Sequence, residues 1–301
     1  MRHFLTLGDL SPAELKGLLA QAAACKRDRR KHRTALQGHT VALVFQKPSM
    51  RTRVAFEVAV LQLGGTVVYL GQDDIQLGQR EPIKDVARVL SRYVDAIVAR
   101  TFAHSDAEAF ARYATCPVIN GLSDSAHPCQ ALADLFTMQE QFGALKGLQV
   151  AYIGDGNNVL HSLAEGCAML GVKLTAATPP GYKPQAGTVV EWHEDPRQAV
   201  KGAQVLYTDV WVSMGQEKER EARLQVFRPY QINAALLAQA AKGARVMHCL
   251  PAHRDEEITD EVMASPRSLI VDQAENRLHV QKALLVFLMA RSEEHTSELQ
   301  H

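Results

Sequence analysis

The sequence has no charge of one sign in excess: among its 301 residues, 33 are Lys or Arg and 33 are Asp or Glu. With no global field, nothing draws it toward nucleic acid or an anionic membrane. Aromatic residues make up only 6% of the chain, and cysteines number five: Cys25, Cys116, Cys129, Cys167 and Cys249. They are odd in number, widely spaced and form no CxxC pair, which argues against a disulfide frame and fits a reducing, cytoplasmic setting. No apolar run approaches the ~20 residues of a membrane span, and the first residues lack a signal-peptide core. Internal repeats and low-complexity tracts are absent too.

What is present is a long, apolar chain, 47% hydrophobic, sized for two domains. Ser11, Pro12 and Glu14 supply the N-cap, first-turn proline and capping-box acid of an opening helix. Strands are expected at 41–45, 66–70, 96–99 and 117–120, then, after a polar helix around 134–142, at 149–153, 173–177, 204–208, 245–250 and 268–271. Helical patterns separate them, so the fold class is α/β: two doubly wound parallel-sheet domains, with an active site expected in the interdomain cleft at the strands' carboxyl ends. The domains are read as 1–142 and 143–277, with a C-terminal helix, 278–291, packing back on the first. Residues 292–301 are polar, lack an apolar period and look non-native. The most basic stretch, 26–33, reads as a solvated helix end.

The stretch that organises the chain is Ser49, Met50, Arg51, Thr52, Arg53, a strand-to-helix step. Unpaired N–H groups and a positive helix end, joined by hydroxyls and guanidiniums, suit a phosphate. One arginine on the anion and one in a structural role is a reasonable division, since the guanidinium fork grips two phosphate oxygens. On these five residues alone, a capped helix start with two solvated arginines remains open. Arg100 ends the third expected strand. His127 and Gln130, three apart at a helix start, fall on one face and can converge on a small polar ligand. No second His or Cys stands at a zinc spacing, so no metal is expected. After the strand 149–153 comes Gly154, Asp155, Gly156, Asn157, Asn158, but Val159 leaves GxGxxG incomplete and disfavours a nicotinamide cofactor. Asn158 is a candidate for a polar substrate group or for a turn. Asp209 and Ser213, followed by Met214 and Gly215, suit an ammonium group on a movable loop. His248, Cys249, Leu250 and Pro251 close another strand, where the thiol is either packing or a substrate contact.

Taken in order, these clusters resemble the aspartate/ornithine carbamoyltransferase family, over roughly residues 1–290. Glu81, Pro82, Ile83, Lys84, Asp85 and the closing Glu275, Asn276, Arg277 belong to the likeness. The 209–215 loop and the His-Cys-Leu-Pro motif mark the branch that acts on ornithine. The resemblance implies that Ser49, Met50, Arg51 and Thr52 bind the phosphate of carbamoyl phosphate, aided by Gln76 from a neighbouring subunit of a homotrimer or a multiple of trimers. It implies that Arg100, His127 and Arg277 surround the carbonyl oxygen and Gln130 the amide nitrogen. Asn158, Asp209, Ser213, Met214, Cys249 and Leu250 would hold L-ornithine, and Cys249, Arg100, His127 and Arg51 would be the catalytic set. No cofactor is implied, and the expected role is arginine biosynthesis. Acylated ornithine, putrescine and aspartate remain alternative acceptors. The family pattern has Thr where this chain has Met50, which removes one hydroxyl but keeps the backbone N–H.

Overall fold

The computed structural model describes residues 1–297 except Gln79, Met214 and Gln216; for Glu217 and residues 290–297 it describes the backbone alone. Two compact units divide the chain: Met1–Phe136 with Asn276–His301, and Thr137–Glu275. The first holds α1 (Pro12–Arg27), β1 (Thr40–Phe45), α2 (Met50–Gln62), β2 (Thr66–Leu70), α3 (Gln72–Ile75), α4 (Ile83–Leu90), β3 (Ala96–Arg100), α5 (His104–Tyr113), β4 (Val118–Leu122) and the start of α6 (Pro128–Phe142). Ser11 caps α1 as expected: its hydroxyl accepts from the Glu14 N–H at 3.3 Å, and Glu14 Oε2 accepts from the Ser11 N–H at 2.9 Å.

Four parallel strands form its sheet in the order β2-β1-β3-β4. Val41, Ala42, Leu43 and Val44 are fully buried, as are Ile97, Val98 and Ala99. A strand covered on both faces can place polar groups only at its ends. From β1 the chain passes to β2 on one side and returns to β3 on the other, so the order reverses between β1 and β3. Their carboxyl ends, where residues 46–49 and Arg100 lie, form the crevice where such sheets receive ligands.

The second unit repeats the plan with β5 (Gln149–Ile153), α7 (Asn158–Leu170), β6 (Lys173–Ala177), β7 (Glu191–His193), α8 (Pro196–Ala199), β8 (Val205–Thr208), α9 (Arg220–Phe227), α10 (Ala234–Leu237), β9 (Arg245–His248) and α11 (Asp260–Ala264). All five strands are parallel, in the order β7-β6-β5-β8-β9, and the reversal falls between β5 and β8. Residues 154–158 and Asp209 follow those two strands.

Three sequence expectations need correction. The strand expected at 268–271 is not one: after backbone bonds between Val246 and both Arg267 and Leu269, the chain turns into α12 (Ile270–Ser297). Helical spacing prevails because Ile270, Gln273 and Arg277 are buried while Val271 is exposed. The three-residue β7 carries no apolar run and has no counterpart among the expected strands. Helix α12 also continues beyond residue 290; of the non-native-looking segment, 292–297 prolong the helix and 298–301 lie outside the described residues.

Within the first unit, α12 is fastened to α1 and α2 by buried polar groups. Lys26 Nζ donates to Asn276 Oδ1 at 2.8 Å. The fully buried Lys282 donates to the Arg29 carbonyl at 2.9 Å and to Gln62 Oε1 at 3.2 Å. Burial lowers its pKa, and two fixed acceptors offset part of the desolvation of the ammonium. The rest of the basic stretch, Arg27, Arg29, Arg30, Lys31 and Arg33, is exposed.

In the second unit, the turn after β5 depends on a missing side chain. The Gly156 N–H donates to the Tyr182 carbonyl at 3.0 Å, and a Cβ on Gly156 would lie 2.6 Å from backbone atoms of Tyr182, Lys183 and Pro184. Gly143 has φ +76° but open space around it. Gly156→Ala should therefore lower the unfolding free energy by roughly 3 kcal/mol through overpacking, against about 1 kcal/mol for Gly143→Ala through its left-handed backbone. Urea titration of both variants checks the ranking, and equal losses would refute it.

Candidate active site

At the end of β1 the chain makes the step read in the sequence. Ser49 caps α2, accepting from the Thr52 N–H at 3.3 Å. The two arginines of the step divide their roles. Arg53 turns outward: its Nε donates to Glu57 at 2.8 Å and its guanidinium lies 3.6 Å from the centre of the Tyr69 ring. Arg51 contributes its charge to a cluster with Arg100, Arg277 and His127.

Arg277, from α12, organises that cluster. One terminal nitrogen donates to Gln130 Oε1 at 2.7 Å and the other to Thr52 Oγ1 at 2.8 Å. Gln130 Nε2 in turn donates to the fully buried Asp134 at 2.8 Å. This i,i+4 pair follows because His127 stands just before α6 and Gln130 in its first turn. The Gln130 carbonyl and the Thr52 hydroxyl oxygen thus hold Arg277 in place.

Arg100 is 5% exposed, and its side chain makes no hydrogen bond or ion pair among the described residues. Burial, reinforced by Arg277 and Arg51, pushes its pKa down to about 10, so it stays cationic at neutral pH. His127 is held well below the ordinary imidazole range, first by burial and then by Arg277, Arg100 and Arg51. Three guanidinium charges around a neutral imidazole, at a helix N-terminus, repel one another until an anion joins them. A neutral imidazole there can donate one hydrogen bond without adding charge. Gln76 does not join this group: it is exposed, at the left-handed end of α3 with φ +40°.

The second unit's polar cluster sits after β5, β8 and β9. The Cys249 thiol donates to Asp209 Oδ1 at 2.8 Å, and Asn157 Nδ2 donates to Asp209 Oδ2 at 2.8 Å. Asn157 Oδ1 caps α7, accepting from the Val159 and Leu160 N–H groups and from the Tyr152 hydroxyl. Sequence reading chose Asn158; the structure places it on the first residue of α7, partly exposed, while its neighbour orients the acid. Ser213 is partly exposed on the loop after Asp209, and Met214 lies outside the described residues.

His248 fixes the backbone beyond Cys249. Its Nδ1 accepts from the Leu250 N–H at 2.8 Å, which leaves the ring proton on Nε2, 3.0 Å from the fully buried Glu257. Leu250 has φ +60°. The loop after Asp209 is anchored by Arg223, whose Nε donates to the Trp211 carbonyl at 2.6 Å and which pairs with buried Asp155. Asp134, Asn157, Arg223 and Glu257 were not singled out from sequence; only the four-residue spacing from Gln130 to Asp134 could have pointed to one of them. Ligand atoms of Asp209, His248 and Cys249 lie within 4.8 Å of one another, a cation-sized grouping. Here the thiol, both carboxylate oxygens and both ring nitrogens already take part in hydrogen bonds.

Replacing Asn157 tests this arrangement. Asn157→Ala loses the cap and the carboxylate's partner, and should cost about 2 kcal/mol. Asn157→Asp keeps an acceptor for the cap but sets a carboxylate against Asp209, so one of the two acids has a raised folded-state pKa. Its deficit should be largest at pH 7 and shrink as the pH falls toward 4. Denaturant titration at both pH values measures this, and a deficit independent of pH would refute it.

Comparison with known proteins agrees with this two-part organisation. Residues 2–140 match the carbamoyl-P binding domain, and residues 146–288 the Asp/Orn binding domain, of aspartate/ornithine carbamoyltransferase. The chain is 54% identical over 298 residues to an ornithine carbamoyltransferase of Gloeobacter violaceus, covering 95% of each chain. It is 52% identical to an anabolic ornithine carbamoyltransferase of Pyrococcus furiosus, covering 96% of each. Among solved structures, the ornithine carbamoyltransferase of Pyrococcus furiosus superposes with a TM-score of 0.93 at 50% identity, covering 96% of this chain and 97% of that one. The anabolic enzyme of Campylobacter jejuni gives 0.92 at 38% identity, covering 97% and 100%. With both of its domains matched, the chain belongs to the aspartate/ornithine carbamoyltransferase family.

Proposed function

We propose that this chain is an ornithine carbamoyltransferase that converts carbamoyl phosphate and L-ornithine to L-citrulline and phosphate. The observation that carries the reading is the first unit's cationic cluster, in which Arg100 is buried without an acid beside neutral His127. Such a cluster suits a small dianion with a polarised carbonyl. The start of α2, with Ser49, the Met50 N–H, Arg51 and Thr52, receives the phosphate. Arg100, His127 and Arg277 face the carbonyl oxygen, and Gln130 fixes the carbamoyl end. The second unit receives ornithine: Asp209 and Ser213 take its ammonium group, Asn158 and Met214 its α-carbon substituents, and Cys249 and Leu250 lie along its side chain.

Chemistry then needs no cofactor. The neutral δ-amine attacks the carbonyl carbon, negative charge develops on the carbonyl oxygen, and phosphate leaves with its charge balanced by Arg51. Positioned donors at a developing oxyanion are worth about 3–4 kcal/mol each. An alkyl ammonium titrates near 10.4, so the site must take the amine in its minority form. The proton lost on attack passes to the departing phosphate, or is relayed by Cys249, whose thiol hands its own proton to Asp209 as it takes up the new one. The relative named as anabolic supports a role in arginine biosynthesis. A homotrimer in the cytoplasm completes the proposal: β2 is an edge strand, and Val68, with Val54 and Leu61 of α2, is exposed. Gln76 of a neighbouring copy would then reach the phosphate. No helix among the described residues is long and apolar enough to cross a membrane.

A citrulline assay with purified protein tests the reading. Ornithine should be the acceptor, with aspartate, putrescine and acylated ornithine inactive; turnover of any of these in its place would reject the assignment. Arg51→Ala should lower kcat/KM for carbamoyl phosphate by about 100-fold or more. For the wild type, log kcat/KM for ornithine should climb with a slope near one from pH 6 to pH 8, because the neutral amine grows about tenfold per unit below its pKa. His127 adds no step near pH 6.5, since it is already neutral. A flat profile would mean that the amine is not what limits the reaction.

A further inference from the structure

We propose that Met50 is a reversible oxidation site that weakens carbamoyl phosphate binding, an inference that rests on the phosphate role of the turn at the start of α2. Met50 is the first residue of that helix and is 70% exposed, in the middle of the anion-binding turn. Met1 is exposed as well and Met169 and Met263 are half-buried, but Met138, Met247, Met289 and all five cysteines, which are free thiols, are buried. A dissolved peroxide therefore meets this thioether before those sulfurs. Oxidation proceeds by attack of the sulfur lone pair on a peroxide oxygen: the O–O bond breaks, one oxygen stays on sulfur, and the other leaves as water with the peroxide's protons. Sulfur is oxidised by two electrons and peroxide is reduced.

The consequence comes from where the side chain leans. In a helix each Cα–Cβ bond tilts toward the N-terminus, so the side chain of a first-turn residue inclines toward the N–H groups that receive an anion. The thioether is a weak acceptor and leaves those donors to the phosphate. A sulfoxide oxygen is a strong acceptor with the negative end of its dipole outward. It would compete for the same N–H groups and for Arg51, and would repel the incoming dianion. Thr, the residue found in the resembled pattern at this position, cannot undergo this change. A thiol-dependent reductase restores the thioether, with the oxygen leaving as water and the thiol pair closing to a disulfide.

The full-length protein would be treated with hydrogen peroxide under conditions that leave its cysteines reduced, with the added oxygen mapped by peptide mass spectrometry. Expected are modification at Met50, a rise of about fivefold in KM for carbamoyl phosphate, an unchanged KM for ornithine, and reversal by a methionine sulfoxide reductase with dithiol. Met50→Leu and Met50→Thr, each compared with its own untreated rate, should show no peroxide response. The proposal is overturned if Met50 stays unmodified, if it is oxidised without a change in KM, or if Met50→Leu responds as strongly as the wild type. Absence of citrulline formation by untreated wild type would instead remove the functional reading itself, so the two failures are told apart.

Discussion

The first unit's site depends on one guanidinium. Arg277 reaches Thr52 at the start of α2 with one nitrogen and Gln130 at the start of α6 with another, so a single planar group fixes the spacing of two helix starts. The fork geometry matters: a lysine ammonium, a point charge on a flexible stem, would not fix both acceptors in one plane. Asp134 holds the far end of Gln130, and Lys26 and Lys282 fasten α12 so that Arg277 cannot withdraw. The remaining cations, Arg51 in the first turn of α2 and Arg100 at the end of β3, add their charges to it.

The second unit solves a different problem, that of keeping one carboxylate aimed. Asp209 has a donor on each oxygen, a thiol on one and the cap amide of α7 on the other. Because Asn157 also caps the helix, the direction of the acid is tied to the position of α7. His248 and Glu257, both buried, hold Leu250 in a left-handed conformation that a leucine does not choose alone. Local strain at such a place is maintained by the surrounding hydrogen bonds.

Much of this was legible in the sequence because buried parallel strands are short apolar runs with polar punctuation. The strands at Thr66–Leu70, Gln149–Ile153 and Lys173–Ala177 appear with the boundaries read for them. The stretch 268–271 misled because Leu269, Ile270 and Val271 favour strands, whereas the buried spacing of Ile270, Gln273 and Arg277 belongs to a helix. At the sites, the residues at strand ends announced themselves. Arg277 did not: nothing local distinguishes an arginine inside a helix from a solvated one, and it entered through family resemblance. Asn157 and Asn158 are adjacent and identical in type, and only coordinates tell the cap from its neighbour. Glu257 is invisible for a related reason, since its partner lies nine positions away across a turn.

The path of α12 has a consequence for how the protein comes into being. Its Arg277 follows, in chain order, every strand among the described residues, yet it completes a cluster whose other members lie between Ser49 and Asp134. During synthesis the amino-terminal sheet can assemble while the cationic cluster at its edge still lacks a member. A nascent chain of this protein therefore acquires its first sheet early and the last member of its cationic cluster late.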